Sequence, residues 1–167
     1  MKKITRFCLY FALILTIFSS QPTFAITPDQ EGSISLYCNT IRQTLQTIQH
    51  SDSRTRTYLG AYYETILTDY MTPLNIRLVK NNHSNTALTK IQSDFALEKA
   101  NFSEKFINYS KSLETLISLD CRANPTDFYD QLVRARDERE LVHQSALKLN
   151  ALVGLHLDAV QNLKGEL

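Results

Sequence analysis

Apolar residues recur at steps of three and four along most of the chain. One run reads Ile34, Cys38, Ile41, Leu45, Ile48, Asp52, Thr55, Leu59, Tyr62, Ile66, alternating steps of four and three throughout. A second reads Leu88, Ile91, Phe95, Glu98, Phe102, Phe106, Tyr109, Leu113, Leu116, with a single four-four step at Phe106 that marks a local shift of register. The third, Phe128, Leu132, Ala135, Arg139, Val142, Ala146, Leu149, Val153, His156, Val160, Leu163, is an unbroken heptad seam. This spacing puts the apolar residues of each run on one face of a helix. Strand signals are scarce: there is no Asn-Gly or Asp-Gly hairpin turn, and glycine and proline are rare. The pattern predicts an all-α fold of three long antiparallel helices.

The punctuation agrees. "TPDQ" at Thr27–Gln30 reads as a capped helix start, with Gly32 a potential break just inside it. "NNHSN" at Asn81–Asn85 is a polar turn. In "CRANPTDF", Asn124 is a cap, Pro125 suits the first helical position, and Ala123 with Phe128 predicts a hydrophobic staple. "LKGEL" puts Lys164 in a last turn and Gly165 just past it. Pro73 should kink or restart the first helix, with Thr72 as the cap.

"HSDSRT" at His50–Thr55 admits a loop, and a loop there would make four helices. The seam passes through it in phase, which favours a continuous helix. Cysteine positions add a second argument. Cys38 to Pro73 and Thr86 to Cys121 are both 35 residues apart, about 52 Å of helix each. A first helix that climbs and a second that returns therefore bring Cys121 beside Cys38. Two cysteines remain after the N-terminal leader, and in an exported chain an even pair reads as one disulfide, Cys38–Cys121, at one end of the bundle; given that bond, the equal spans favour three helices. Free thiols or a link between chains are the alternatives.

Residues 1–25 read as an export signal. Lys2, Lys3 and Arg6 precede the apolar run "FCLYFALILTIF", and "TFA" ends at Ala25 with small residues where signal peptidase reads. The run is 12 residues long, against the roughly 20 that span a bilayer; an uncleaved anchor is the alternative. The expected organisation is a signal at 1–25, cleaved near Ala25, and a single helical-bundle domain at 26–167. Beyond residue 25 there are 15 bases against 17 acids, so the weakly basic balance of the whole chain belongs to the leader. No basic field for nucleic acid remains. The expected location is extracytoplasmic: secreted, periplasmic or on the cell surface.

Candidate chemistry is sparse. No Gly-rich phosphate loop, His-Glu-x-x-His, Cys-x-x-Cys or Gly-x-Ser-x-Gly motif is present, so neither a cofactor nor a metal is expected. Three polar features stand out on the helical frame. Asp52 and Arg139 occupy seam positions within about one turn of the same height and predict a buried polar pair, either fixing register or lining an anion-binding cavity. His156 lies on the apolar face at the height of Asp69 and Tyr70, which predicts a buried histidine bonded to one of them. Tyr58, Tyr62, Tyr63 and Tyr70 crowd the first helix; Tyr62 fits the seam, and Tyr58 and Tyr63 flank it. These rings either fill the core or mark a partner surface. Arg134 with Glu138, and Arg136 with Glu140, have the spacing of solvated surface pairs.

Asp120-Cys121, Pro125, Phe128, Leu132, Ala135-Arg136 and Arg139, together with Cys38 and "LNIRL", resemble small exported helical proteins of candidate-phyla (Saccharibacteria-like) bacteria. The resemblance covers most of the chain after residue 25. It implies an envelope or secreted location and brings no catalytic residue. The expected function is a non-catalytic interaction module with a protein or cell-envelope partner, touching membrane only through an uncleaved signal segment. The alternative is a ligand-binding bundle with a cavity beside Asp52 and Arg139 or beside the Tyr58–Tyr70 cluster.

Overall fold

The computed structural model describes residues 26–83 and 85–166, with no side-chain description for 165 and 166; the expected export signal lies outside the described residues. Among the described residues there are helices and no strands. Helix α1 spans Pro28–Thr65, a π-helical stretch covers Ile66–Met71, α2 spans Thr72–Lys80, α3 spans Thr86–Ser118 and α4 spans Pro125–Glu166. The first three segments run on from one another as a single long, bent helix, so three helices lie antiparallel.

Helix α1 starts as its sequence dictates. Thr27 accepts from the Gln30 N–H at 3.4 Å, the Gln30 side chain accepts from the Thr27 N–H at 2.9 Å, and Pro28 fills the first helical position. The expected break at Gly32 does not occur. A Cβ there would meet nothing within 4 Å, and a glycine penalty of about 1 kcal/mol is small beside the capping box and the nearby burial of Ile34 and Cys38. The helix also passes unbroken through Ser51–Ser53. Thr55 and Thr57 turn their hydroxyls back onto the Ser51 and Ser53 carbonyls at 3.1 Å each, which leaves the helical ladder intact.

The bend sits just ahead of Pro73. Proline has no N–H, and its ring crowds the carbonyl four residues back, here that of Asp69. The helix widens in response: the Thr72 N–H bonds to the Leu67 carbonyl, five residues back. Thr72 is not the expected cap. Its neighbour Met71 is helical, and the Thr72 hydroxyl accepts from Gln92 of α3 at 2.8 Å. Asn75 donates to the Leu88 carbonyl at 3.3 Å and to the Gln92 side chain at 2.5 Å. These bonds lash the bent tip onto α3. Helix α2 ends at Lys80, and Asn82 just past it has a left-handed φ of 58°. The His83 N–H reaches the Leu78 carbonyl at 2.9 Å and the Asn82 N–H reaches Val79 at 3.1 Å, the double bond pattern of a Schellman end. Asn85 caps α3 by accepting from the Leu88 N–H at 3.0 Å.

At the far end the Asp120 carboxylate organises the turn, accepting from the N–H groups of Arg122 at 2.9 Å and Ala123 at 3.3 Å. Those two bonds hold its pKa below the usual carboxylate value. Ala123 is exposed, so the expected staple to Phe128 is absent; Phe128 is fully buried in the core instead. Helix α4 opens at Pro125 as expected but runs through Gly165 to Glu166. Cys38 and Cys121 are bonded, with Cα atoms 5.6 Å apart and 83 residues between them in sequence. Arg42 adds a second tie at this end, donating to the Leu119 carbonyl at 2.9 Å.

Helix α3 is the spine. Leu88, Phe95, Phe102, Phe106, Tyr109, Leu113 and Leu116 are all buried along one face. Its backbone lies closest to α4, while α1 rides further out and approaches α4 less than α3 does. Tyr63 plugs the centre, edge-on to Phe95 and Phe102 with ring centroids 6.1 and 5.6 Å away.

Candidate functional site

Where α1 and α4 fail to close over α3, an open groove of about 790 Å³ remains. Its location follows from the seam. Asp52 and Thr55 are consecutive seam positions on α1, and Arg139 is the facing one on α4. None of them supplies an apolar surface to bury. Thr55 and Arg139 are exposed and Asp52 is half-buried, so the two helices part there and solvent enters. Phe106 and Tyr109 of α3 form the floor. Arg56 lies over the Phe106 ring at 5.3 Å from its centroid.

One contact crosses all three helices at the groove's edge. Arg139 grips Asp52 with two bonds, Nε to Oδ2 at 2.8 Å and Nη2 to Oδ1 at 3.1 Å. Tyr109 donates to the same Oδ2 at 2.7 Å. Burial, and then the bond to Asp52, push the Tyr109 pKa well above the tyrosine norm. The same carboxylate raises the Arg139 pKa, which keeps the guanidinium charged at any working pH. The expectation of a buried pair needs correction: the Arg139 side chain keeps 57 % of its exposure and Asp52 only 16 %. The acid is the buried member because Tyr109 and Arg139 both serve it, while the arginine lies along the groove wall.

That wall carries both signs of charge. Arg136, Asp137, Glu140 and His143 of α4 face Thr55 and Leu59 of α1. The expected pairing of Arg136 with Glu140 is not made, nor is that of Arg134 with Glu138. Glu140 turns instead to Gln144 at 3.2 Å and His143 at 3.7 Å. Among the described residues Arg136 has no ionic partner, and its charge is presented to the groove.

The tyrosine run divides between core and rim. Tyr63, not Tyr62, is the seam residue and is fully buried. The seam steps four residues from Leu59 rather than three, which turns Tyr62 outward. Burial raises the Tyr63 pKa, and its hydroxyl points at Asn150 Oδ1 of α4, 3.4 Å away. Tyr58 and Tyr62 stack on each other at 6.5 Å and 5° between planes, 71 % and 43 % exposed. They sit one turn beyond Thr55 and Leu59, on the exposed side of α1 next to the groove-lining positions.

His156 is buried, as its phase predicts, but not bonded to Asp69 or Tyr70. Its Nε2 has no hydrogen-bond partner, and burial lowers its pKa. Asp69 is exposed and accepts from Thr68 at 2.9 Å, while Tyr70 is 65 % exposed. The physical reason is the π-helical stretch, which inserts one extra residue per turn there and rotates both side chains away from α4.

Sequence reasoning passed over the most buried charge. Glu98 of α3 accepts from Ser145 at 2.5 Å and from Lys148 at 2.6 Å, with Asn101 at 3.4 Å; its side chain is 3 % exposed. Burial alone would raise its pKa, but the bonds from Lys148 and Ser145 outweigh that and hold it low. Glu98 is visible in the second run as an acid in an apolar phase, the same signal that marks Asp52. Ser145 lies outside the third run, so nothing in the spacing pointed to it. A separate ion pair joins Lys99 to Glu64 of α1.

Among the described residues no cluster of three His, Cys, Asp or Glu side chains could hold a metal ion, and no helix is long and apolar enough to cross a membrane. Searches of protein-family models, curated proteins and solved structures find no match to this chain.

Proposed function

We propose that this chain is a non-catalytic, extracytoplasmic interaction module that holds a protein partner in the groove between α1 and α4. The observation that carries this reading is the groove itself. A three-helix bundle with apolar residues at Asp52, Thr55 and Arg139 would close, whereas this one stays open over about 790 Å³. The opening has a fixed polar edge and an aromatic floor of Phe106 and Tyr109, the composition that distinguishes contact surfaces from ordinary exposed ones. The export signal read at residues 1–25 and the disulfide are both compatible with an oxidising, extracytoplasmic setting.

The test is cross-linking on intact cells with a photo-reactive side chain at Thr55 or Val133 in the groove, or at Leu97 on the outer face of α3. A partner captured from the groove positions, not from Leu97, and lost on Arg136→Glu supports the reading. Equal capture from all three positions counts against it.

A second reading rests on Arg136 and Arg139 lying one helical turn apart on the same wall. A small carboxylate-bearing ligand could bind there with its apolar part over Phe106. Binding of a simple aryl carboxylate, lost on Arg136→Gln, would favour this reading over a protein partner.

A further inference from the structure

We infer that the occupant of the groove face is a second copy of this chain, docked side by side about a two-fold axis parallel to the helices. This rests on the groove being a protein-binding site, and it names the partner. Three observations point to self-association.

First, the groove does not end at His143. On α4, His143, Leu147, Asn150 and Leu157 follow one another at steps of four, three and seven, so they share a face. That face looks at α1, because His143 lines the groove and Asn150 meets Tyr63. Leu147 and Leu157 are 54 % and 55 % exposed. The Asp52–Arg139 and Tyr63–Asn150 contacts share one register, which sets Leu147 between the levels of Tyr58 and Tyr62 on α1 and Leu157 near that of Tyr70. The groove therefore continues upward as an apolar, aromatic strip that nothing among the described residues covers.

Second, the charges complement themselves. Arg136 sits directly beside Asp137 and one turn from Glu140. Such a patch has little net sign with which to draw a strongly charged stranger. In an isologous contact each residue meets the other copy's residues at matching height. Arg136 would then lie opposite the second copy's Asp137 and Glu140, within reach of a long arginine side chain, and the reverse contact forms by symmetry. Arg136 has no ionic partner among the described residues of its own chain, so it need break no pair to form one.

Third, a parallel two-fold keeps like with like. Tyrosines and leucines at the upper level pack on tyrosines and leucines, and charges at the lower level meet charges. An antiparallel pairing would set the charged level against the apolar one and bury Arg136, Asp137 and Glu140 on leucine.

The test is sedimentation velocity on the disulfide-bonded chain from about 1 to about 200 µM, since interfaces of this kind span a wide range of affinity. The wild type is expected to be dimeric at the upper end. Leu147→Glu, an exposed and fold-neutral site, should weaken the dimer at least tenfold, and Leu97→Glu should leave it unchanged. Arg136→Glu alone and Asp137→Arg/Glu140→Arg alone should each weaken it, and mixing those two variants should restore a heterodimer. A wild type that stays monomeric throughout overturns the proposal. So does a dimer indifferent to Leu147→Glu, or a mixture that fails to restore pairing. If the chain is monomeric yet groove-positioned cross-linkers still capture a different protein, only self-pairing fails and the interaction-module reading survives.

Discussion

Replacing Glu98 separates two accounts of a buried charge. The side chain is 3 % exposed and held by Ser145 and Lys148. Glu98→Ala strips the Ser145 hydroxyl of its partner in the core, where an unsatisfied buried donor costs about 1–3 kcal/mol. It also leaves a small cavity between α3 and α4, worth roughly 1 kcal/mol more. Lys148 loses little, because its side chain is 65 % exposed and water can take its ammonium. The expected loss is about 2–4 kcal/mol, or a fall in Tm of roughly 6–12 °C for a domain of this size. The double variant Glu98→Leu/Ser145→Ala removes donor and acceptor together and fills the space with carbon. It should recover most of the loss, since apolar replacement of a complete buried polar cluster is often neutral. The sign of the pH effect follows from the lowered pKa of Glu98 in the fold. The unfolded chain binds the proton more readily, so this contribution is present above the unfolded pKa, roughly 4.3, and is lost as pH falls through the folded value. Urea denaturation at pH 7 and pH 3 measures both effects. A single variant within 0.5 kcal/mol of wild type at pH 7, on the order of the scatter for surface changes, would refute the claim that this carboxylate is bonded in the core.

Tyr109→Phe should cost about 1–2 kcal/mol and leave the Asp52–Arg139 grip in place, while Asp52→Ala should cost more, about 2–4 kcal/mol, because it strands the Tyr109 hydroxyl; chemical denaturation of the two variants gives the ranking. Cys38→Ser with Cys121→Ser opens a link that closes an 83-residue separation, and the chain-entropy estimate gives a loss of about 4–5 kcal/mol, read as a lower urea midpoint with an increased slope. His156 is held below its ordinary pKa by burial, so the unfolded chain takes up its proton first; stability is full above roughly pH 6.5 and falls as pH drops towards the folded value. His156→Leu should flatten that part of the profile, measured as Tm between pH 5 and pH 8.

Much of the architecture was legible because it depends on periodicity and chain length. The three seams, the unbroken passage through Ser51, and the meeting of Cys38 with Cys121 all follow from 1.5 Å per residue and a repeat near 3.5. Boundary details were less so. Gly32 looks like a break only if the neighbouring burial of Ile34 and Cys38 is ignored. The π-helical stretch was the costlier omission. Pro73 announces a disturbance, but a kink and an inserted residue leave the same mark in sequence, and they aim Asp69 and Tyr70 in different directions. Of the candidate site, the facing of Asp52 and Arg139 was readable from height and phase. Tyr109 was counted as a seam residue only, since a tyrosine hydroxyl in a seam does not name its acceptor. Arg136 and Glu140 were read as a local pair because spacing reports proximity along a helix and says nothing of what lies across from it.

Asp52 and Glu98 carry the same sequence signal and meet opposite fates. Both are acids in an apolar phase. Glu98 lies on α3, whose backbone runs close to α4, so Ser145 and Lys148 reach it and it is buried between the helices. Asp52 lies on α1, which is held further from α4 than α3 is, and its partner Arg139 is long enough to reach it without drawing the helices together. A short partner such as Ser145 demands close backbones, whereas an arginine spans a gap and tolerates one. Thr55 on the next turn adds no apolar area that would draw the gap shut. The groove is thus the consequence of one long cation and two polar seam positions. The same three residues that forfeit core burial supply the polar edge of the surface on which the proposed contact depends.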